Sequence, residues 1–111
     1  MEKEDAGFDD MIILDEKGRI SELLYSNIFW IKNGIFYTPS LQTGCIKGVM
    51  RSYLIDKLII DGITLREVNS PPEKLFLADH VIATNASGIR SVIEIAEIRF
   101  DAYPELEKLI L

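Results

Sequence analysis

The chain has 111 residues, room for one domain with one real core, since a protein of this size buries about two-thirds of its unfolded surface. Apolar residues make up 48% and charged residues 27%, which argues against a disordered tail, and no apolar run approaches the roughly 20 residues of a bilayer span. Eighteen acidic against twelve basic residues give a net charge of −6, a poor match for nucleic acid or an anionic membrane, so neither partner is expected.

Residues 2–6 read as the last turns of a helix with Gly7 just past its end. The opening MEKEDAGFDD lacks the apolar segment of a secretory signal. A short apolar strand is predicted over 10–15, then a polar turn, Asp15-Glu16-Lys17-Gly18, and a second strand over 19–24. Asn27 to Tyr37 carries the clearest local pattern. Apolar and aromatic runs flank Asn33-Gly34, the pair that a tight type I′ hairpin requires. Pro39 ends that strand, residues 40–47 form a loop turning at Gly44, and Gly48 opens a helix over 49–60 with Gly62 beyond it. Further strands are expected over 64–69, 80–84 and 91–100, with a short helix over 73–78 and a last one over 104–111. Asn85-Ala86-Ser87-Gly88 is a tight loop. The order implies a single domain over 1–111, α+β or mixed α/β, built on a mainly antiparallel sheet. A lone cysteine, Cys45, cannot close an internal disulfide, and a cytoplasmic setting is expected.

Two loops have the chemistry to hold an anion. One runs Gly44-Cys45-Ile46-Lys47-Gly48-Val49-Met50-Arg51 into a helix, so the free N–H groups of Val49 and Met50 point outward at the positive end of the dipole. The other is Thr84-Asn85-Ala86-Ser87-Gly88. Each is equally readable as a plain helix start or turn, and P-loop and dinucleotide motifs are absent. Glu22 is a carboxylate in an apolar strand, where alternation places it opposite Leu23, either on the surface or facing a ligand. His80 reads as a strand residue, Cys45 as a small loop hydrophobe and Trp30 as core. With one histidine, no metal site is expected.

The order Leu14-Asp15-Glu16-Lys17-Gly18-Arg19-Ile20-Ser21-Glu22, Ser26-Asn27-Ile28-Phe29-Trp30, Gly34, Tyr37-Thr38-Pro39, Gly48-Val49-Met50-Arg51, Ala78-Asp79 and Thr84-Asn85-Ala86 spans nearly the whole chain. It resembles the C-terminal half of the class IV, fold-type-IV pyridoxal-phosphate enzymes: branched-chain and D-amino-acid aminotransferases and 4-amino-4-deoxychorismate lyases. The runs at Asn27, Tyr37 and Gly48 resemble the lyases most. The resemblance implies pyridoxal 5′-phosphate as cofactor. It implies Glu22 as partner of the pyridine nitrogen, and Gly48, Val49 and Met50, with Asn85 and Ala86, as the phosphate-binding loops. Ser87 is implied near the substrate carboxylate. Arg90-Ser91-Val92 departs from the Pro-Val that usually closes that second loop.

By the same resemblance, the Schiff-base lysine belongs before Met1, as does the N-terminal domain, and no catalytic residue is expected within the chain. The implied function is that of the cofactor-binding half of an aminodeoxychorismate lyase, which eliminates pyruvate to leave 4-aminobenzoate for folate synthesis. The chain alone is expected to be inactive and to pair as a homodimer or with an N-terminal domain. A fragment of a branched-chain or D-amino-acid aminotransferase is the alternative within the family. A non-catalytic module binding phosphate ligands or a protein is the alternative outside it.

Overall fold

A computed structural model describes residues 8–9, 12–23, 26–95 and 97–110; the helix expected over 2–6 lies outside them. The strands are β1 (Phe8–Asp9), β2 (Ile12–Leu14), β3 (Ile20–Leu23), β4 (Asn27–Lys32), β5 (Ile35–Pro39), β6 (Leu65–Val68), β7 (His80–Asn85), β8 (Gly88–Ile95) and β9 (Ile98–Arg99). The helices are α1 (Val49–Ile60), α2 (Pro72–Phe76) and α3 (Leu106–Ile110), with a 3₁₀ turn at Leu41–Thr43. The main sheet runs β1-β8-β7-β4-β5-β6, with β9 folded onto β8, and β2 and β3 form a separate hairpin. The β1–β8 and β5–β6 pairs are parallel and the remaining pairs antiparallel.

Asn33 and Gly34 turn with φ of 53° and 79°, the two positive values that a type I′ hairpin demands, and Lys32 pairs with Ile35 across the turn. Strand alternation then sorts β4. Ile28 and Trp30 join Val81, Ala83 and Leu75 in a core beneath the β2–β3 hairpin and α2. Phe29 and Ile31 join Phe36, Ile82 and the α1 residues Leu54 and Leu58 in a second core on the other face. The resemblance implies a partly uncovered face here, where an N-terminal domain and a dimer mate would pack, but both faces of β4 are covered. The exposed large apolar side chains sit elsewhere, Ile46 and Val49 at the start of α1 and Ile59 and Ile60 at its end.

The helix expected over 49–60 forms with those bounds. Gly62, at φ 76°, lets the chain reverse, so that its N–H reaches the Ile59 carbonyl and the Ile63 N–H reaches that of Leu58. The strand expected over 91–100 is two strands. β8 starts earlier, at Gly88, and ends at Ile95, after which Glu97 turns with φ 69° and Ile98 pairs back with Ile95. Apolar alternation runs through both strands, and Ala96-Glu97 carries neither the glycine nor the asparagine that would mark a reversal.

The turn before β3 is fixed by Asp15, whose carboxylate accepts the N–H groups of Lys17 and Arg19 and pairs with the Arg19 guanidinium at 2.8 Å. Desolvation pushes the Asp15 carboxyl up, but the Arg19 and Lys17 hydrogen bonds outweigh it and hold the group below its ordinary value. This turn feeds the strand that carries Glu22.

Candidate functional site

In β3, Ile20, Ser21 and Leu23 are buried and Glu22 is half-buried; the register shift opposite Ser21 breaks strict alternation, so that Ile20 and Leu23 both reach the core while Glu22 does not. The Glu22 side chain reaches the segment ahead of α1, where its Oε1 accepts the Ile46 N–H at 3.0 Å. The carbonyl of the same residue is held too. The Ile46 carbonyl accepts the Asn27 Nδ2 at 2.7 Å and the Gly48 N–H at 3.0 Å.

Gly48 is the N-cap of α1, with extended backbone and no side-chain cap. A Cβ at this position would lie 2.7 Å from Asn27 Oδ1, so the close approach of strand and helix start needs glycine. Its carbonyl accepts the Ser52 N–H, the first helical bond. Among the described residues, no protein group accepts from the N–H groups of Val49 or Met50, as the geometry of a helix start dictates. The Val49 side chain is 85% exposed and the start of the helix is open. Arg51, only 3% exposed, anchors this end by donating from Nη2 to the Pro39 carbonyl at 3.0 Å and to Glu67 Oε1 at 2.9 Å. A buried cation and the positive end of a helix dipole thus coincide.

The second loop follows β7. Asn85 pairs with Gly88 around a tight turn at Ala86 and Ser87, and Asn85 Oδ1 accepts the Ser87 N–H at 2.8 Å. Asn85 Nδ2 donates to Ser26 Oγ at 3.1 Å, which ties this loop to the start of β4.

Glu22, Gly48 and Asn85, three of the residues singled out in the sequence, line one cavity of about 220 Å³ together with Ser26, Asn27, Ile46 and Thr84. Val49 and Met50, which follow Gly48 in α1, do not line it. Ala86 and Ser87 sit at the exposed tip of their turn and do not line it. The sequence names Thr84 only as the start of the second loop and Asn27 only as part of a motif, and neither is given a role of its own. Thr84 is 1% exposed, and its hydroxyl has no hydrogen-bond partner among the described residues. A hydroxyl closing the apolar run His80-Val81-Ile82-Ala83 was the available signal for the first. A polar residue opening the run Ile28-Phe29-Trp30-Ile31 was the signal for the second.

The remaining candidates lie apart from this cavity. Cys45 is buried, with its Sγ 3.6 Å from the Ser40 carbonyl, as expected of a small loop hydrophobe. His80 Nδ1 meets the Asp101 carbonyl at 2.9 Å, and its ring packs edge-on against Tyr103. Among the described residues, no group of His, Cys, Asp or Glu is arranged to hold a metal ion, and no helix is long and apolar enough to cross a membrane.

A model of the family described as amino-transferase class IV matches residues 1–97. The aminodeoxychorismate lyase of Bacillus subtilis is 39% identical over 84 residues, which are 76% of this chain and 27% of that enzyme. The branched-chain-amino-acid aminotransferase of Escherichia coli K12 is 34% identical over 99 residues, 84% of this chain and 32% of the relative. A solved structure of the branched-chain aminotransferase from Escherichia coli superposes with a TM-score of 0.84 at 30% identity, covering 90% of this chain and 35% of that one. The fold is also that of an aminotransferase from Brucella abortus solved with the cofactor PLP (TM-score 0.84, 24% identity, 90% of this chain and 36% of that one). The chain thus spans about a third of the length of these relatives.

Proposed function

Because the chain belongs to the class IV aminotransferase family, we propose that its cavity binds pyridoxal 5′-phosphate and that it is the cofactor-binding part of an enzyme like aminodeoxychorismate lyase. One observation carries this reading. A carboxylate, Glu22, and Gly48, the residue that opens α1, line the same cavity, and both are hydrogen-bonded to the backbone of Ile46.

The donor set suits this cofactor. A phosphate dianion matches the free N–H groups of Val49 and Met50 and the α1 dipole, and an acceptor in the cavity would satisfy the orphaned Thr84 hydroxyl. The absence of a Cβ at Gly48 keeps the backbone approachable. When bound, the cofactor supplies a pyridine ring that acts as an electron sink for carbanion chemistry. Glu22 would pair with the ring nitrogen: Oε1 accepts the Ile46 N–H, Oε2 is left for a second partner, and the negative charge would favour the protonated ring. Asn85 and Ala86 would complete the phosphate side, with Ser87 toward the substrate carboxylate.

None of the described lysines lines the cavity, so this chain contributes binding and ring electronics rather than the reactive amine. The cavity is also smaller than the roughly 300–1,000 Å³ of enclosed ligand sites, so it forms one wall of a cleft. A homodimer mate or a further domain would form the other wall, in a cytoplasmic folate-pathway enzyme releasing pyruvate and 4-aminobenzoate. The likeness to branched-chain aminotransferases favours a second reading, in which the same site serves transamination.

Calorimetric titration with pyridoxal phosphate and with inorganic phosphate tests the core of the proposal. Tighter binding of the whole cofactor is expected, and equal affinity for both would leave a phosphate-binding module instead. In a full-length version joined to an N-terminal domain, pyruvate release from aminodeoxychorismate separates the lyase from an enzyme that passes an amino group to 2-oxoglutarate.

A further inference from the structure

Three groups converge on the backbone of Ile46: its N–H is held by Glu22 Oε1, and its carbonyl by Asn27 Nδ2 and by the Gly48 N–H. Through this one residue, the carboxylate end of the cavity and the helix start are mechanically linked. Asn27 occupies the centre of the link. Its side chain is buried at the first position of β4, its Nδ2 makes the shortest of the three bonds at 2.7 Å, and its Oδ1 fills the space a Cβ at Gly48 would need. Its strand partner is Thr84, so the brace and the orphaned hydroxyl sit side by side on one face of the sheet.

We propose that Asn27 is a positioning residue that sets the spacing between the Glu22 carboxylate and the N–H groups at the start of α1. This rests on the reading of the cavity as a cofactor site. A ligand with a ring at one end and a phosphate at the other binds tightly only when both ends are met at once, and a small misplacement forfeits one of them. A free phosphate needs the helix start alone. Loss of the brace should therefore separate the two affinities, which a general loss of stability would not do.

The test uses the 111-residue chain with Asn27→Ala and Asn27→Asp. The aspartate keeps the shape but turns a carboxylate toward the Ile46 carbonyl, which gives a second variant should the alanine fold poorly. Pyridoxal phosphate and inorganic phosphate are titrated by calorimetry, and amide exchange at Ile46 and Gly48 is followed by NMR without ligand. In both variants, affinity for pyridoxal phosphate should fall by about tenfold or more, while that for inorganic phosphate changes by less than about threefold. Exchange at Ile46 and Gly48 should rise, with the α1 core amides unchanged. Proportional loss of both affinities, or no loss of either, would overturn the assignment. If the unaltered chain binds neither ligand, the cofactor reading fails, and unchanged exchange at Ile46 and Gly48 would then rule out the brace as well.

Discussion

Thr84 shows what a single side chain reveals about a site. A hydroxyl taken out of water without a partner costs about 1–3 kcal/mol, so a fold under no other demand would place valine there. Thr84→Val should accordingly leave the unfolding free energy unchanged or raise it by about 1 kcal/mol in urea melts of the ligand-free chain, and weaken phosphate binding. Destabilisation of more than about 1 kcal/mol would mean that the hydroxyl is already satisfied. Glu22 was legible in the sequence because it is a carboxylate in an apolar strand, opposite Leu23, and the motif order supplied its implied role; the register shift opposite Ser21 that turns it from the core was not. The isolation of Thr84 was not legible, since it depends on pairing with Asn27 from a distant part of the chain. The brace at Ile46 escaped notice for the same reason, since it joins residues of β3, β4 and a loop that share no local pattern.

Elements with strong local chemistry were readable; those fixed by pairing were not. Asn33-Gly34 announces its hairpin, and the spacing of Leu54 and Leu58 with Gly62 beyond announces α1. β1 and β9 are too short to show a period and exist because β8 is there to pair with. The β4–β5 hairpin also carries a charge device. Asp79, just before β7, accepts the Asn33 N–H at 2.9 Å and pairs with Lys32 at 3.5 Å, while its own N–H donates to the Ile31 carbonyl. The Asn33 hydrogen bond foremost, with the Lys32 charge, outweighs desolvation and holds the Asp79 carboxyl below its ordinary 3.8. A carboxyl more acidic when folded than when unfolded contributes its stability in full above pH 3.8 and loses it as pH falls through the lower folded value. Asp79→Ala should therefore be less stable than the parent chain near pH 6, with the gap narrowing once the pH is taken well below 3.8. Chemical denaturation at the two pH values checks this; a constant gap would remove the charge from the account.

At the scale of the molecule, the sheet is covered on both faces and the cavity opens at one end of it, where β3, β4, β7 and the start of α1 meet. Among the described residues no lysine lines the cavity, although Lys47 lies between two residues that do. Lys17, Lys32, Lys47, Lys74 and Lys108 are exposed, and Lys57 pairs with Asp61 at 3.3 Å. A nucleophilic lysine must lose its proton and be fixed beside the carbon it attacks, which takes burial and a rigid setting. Borohydride added with pyridoxal phosphate should therefore fix no single lysine of this chain stoichiometrically, as mass spectrometry of the digested protein would show. One residue labelled to completion, Lys47 above all as neighbour of Gly48, would make the chain a catalyst in its own right. The pairing of Asn27 with Thr84 has a kinetic side as well. These neighbours in the sheet are separated along the chain by β5, α1, β6 and α2, and a contact between such distant segments costs loop-closure entropy before it is rewarded. The two walls of the cavity thus meet only when the central strands have found each other. In a refolding jump, the capacity to bind a phosphate ester should arrive together with the burial of Trp30, whose fluorescence follows the same strand pair, and never ahead of it.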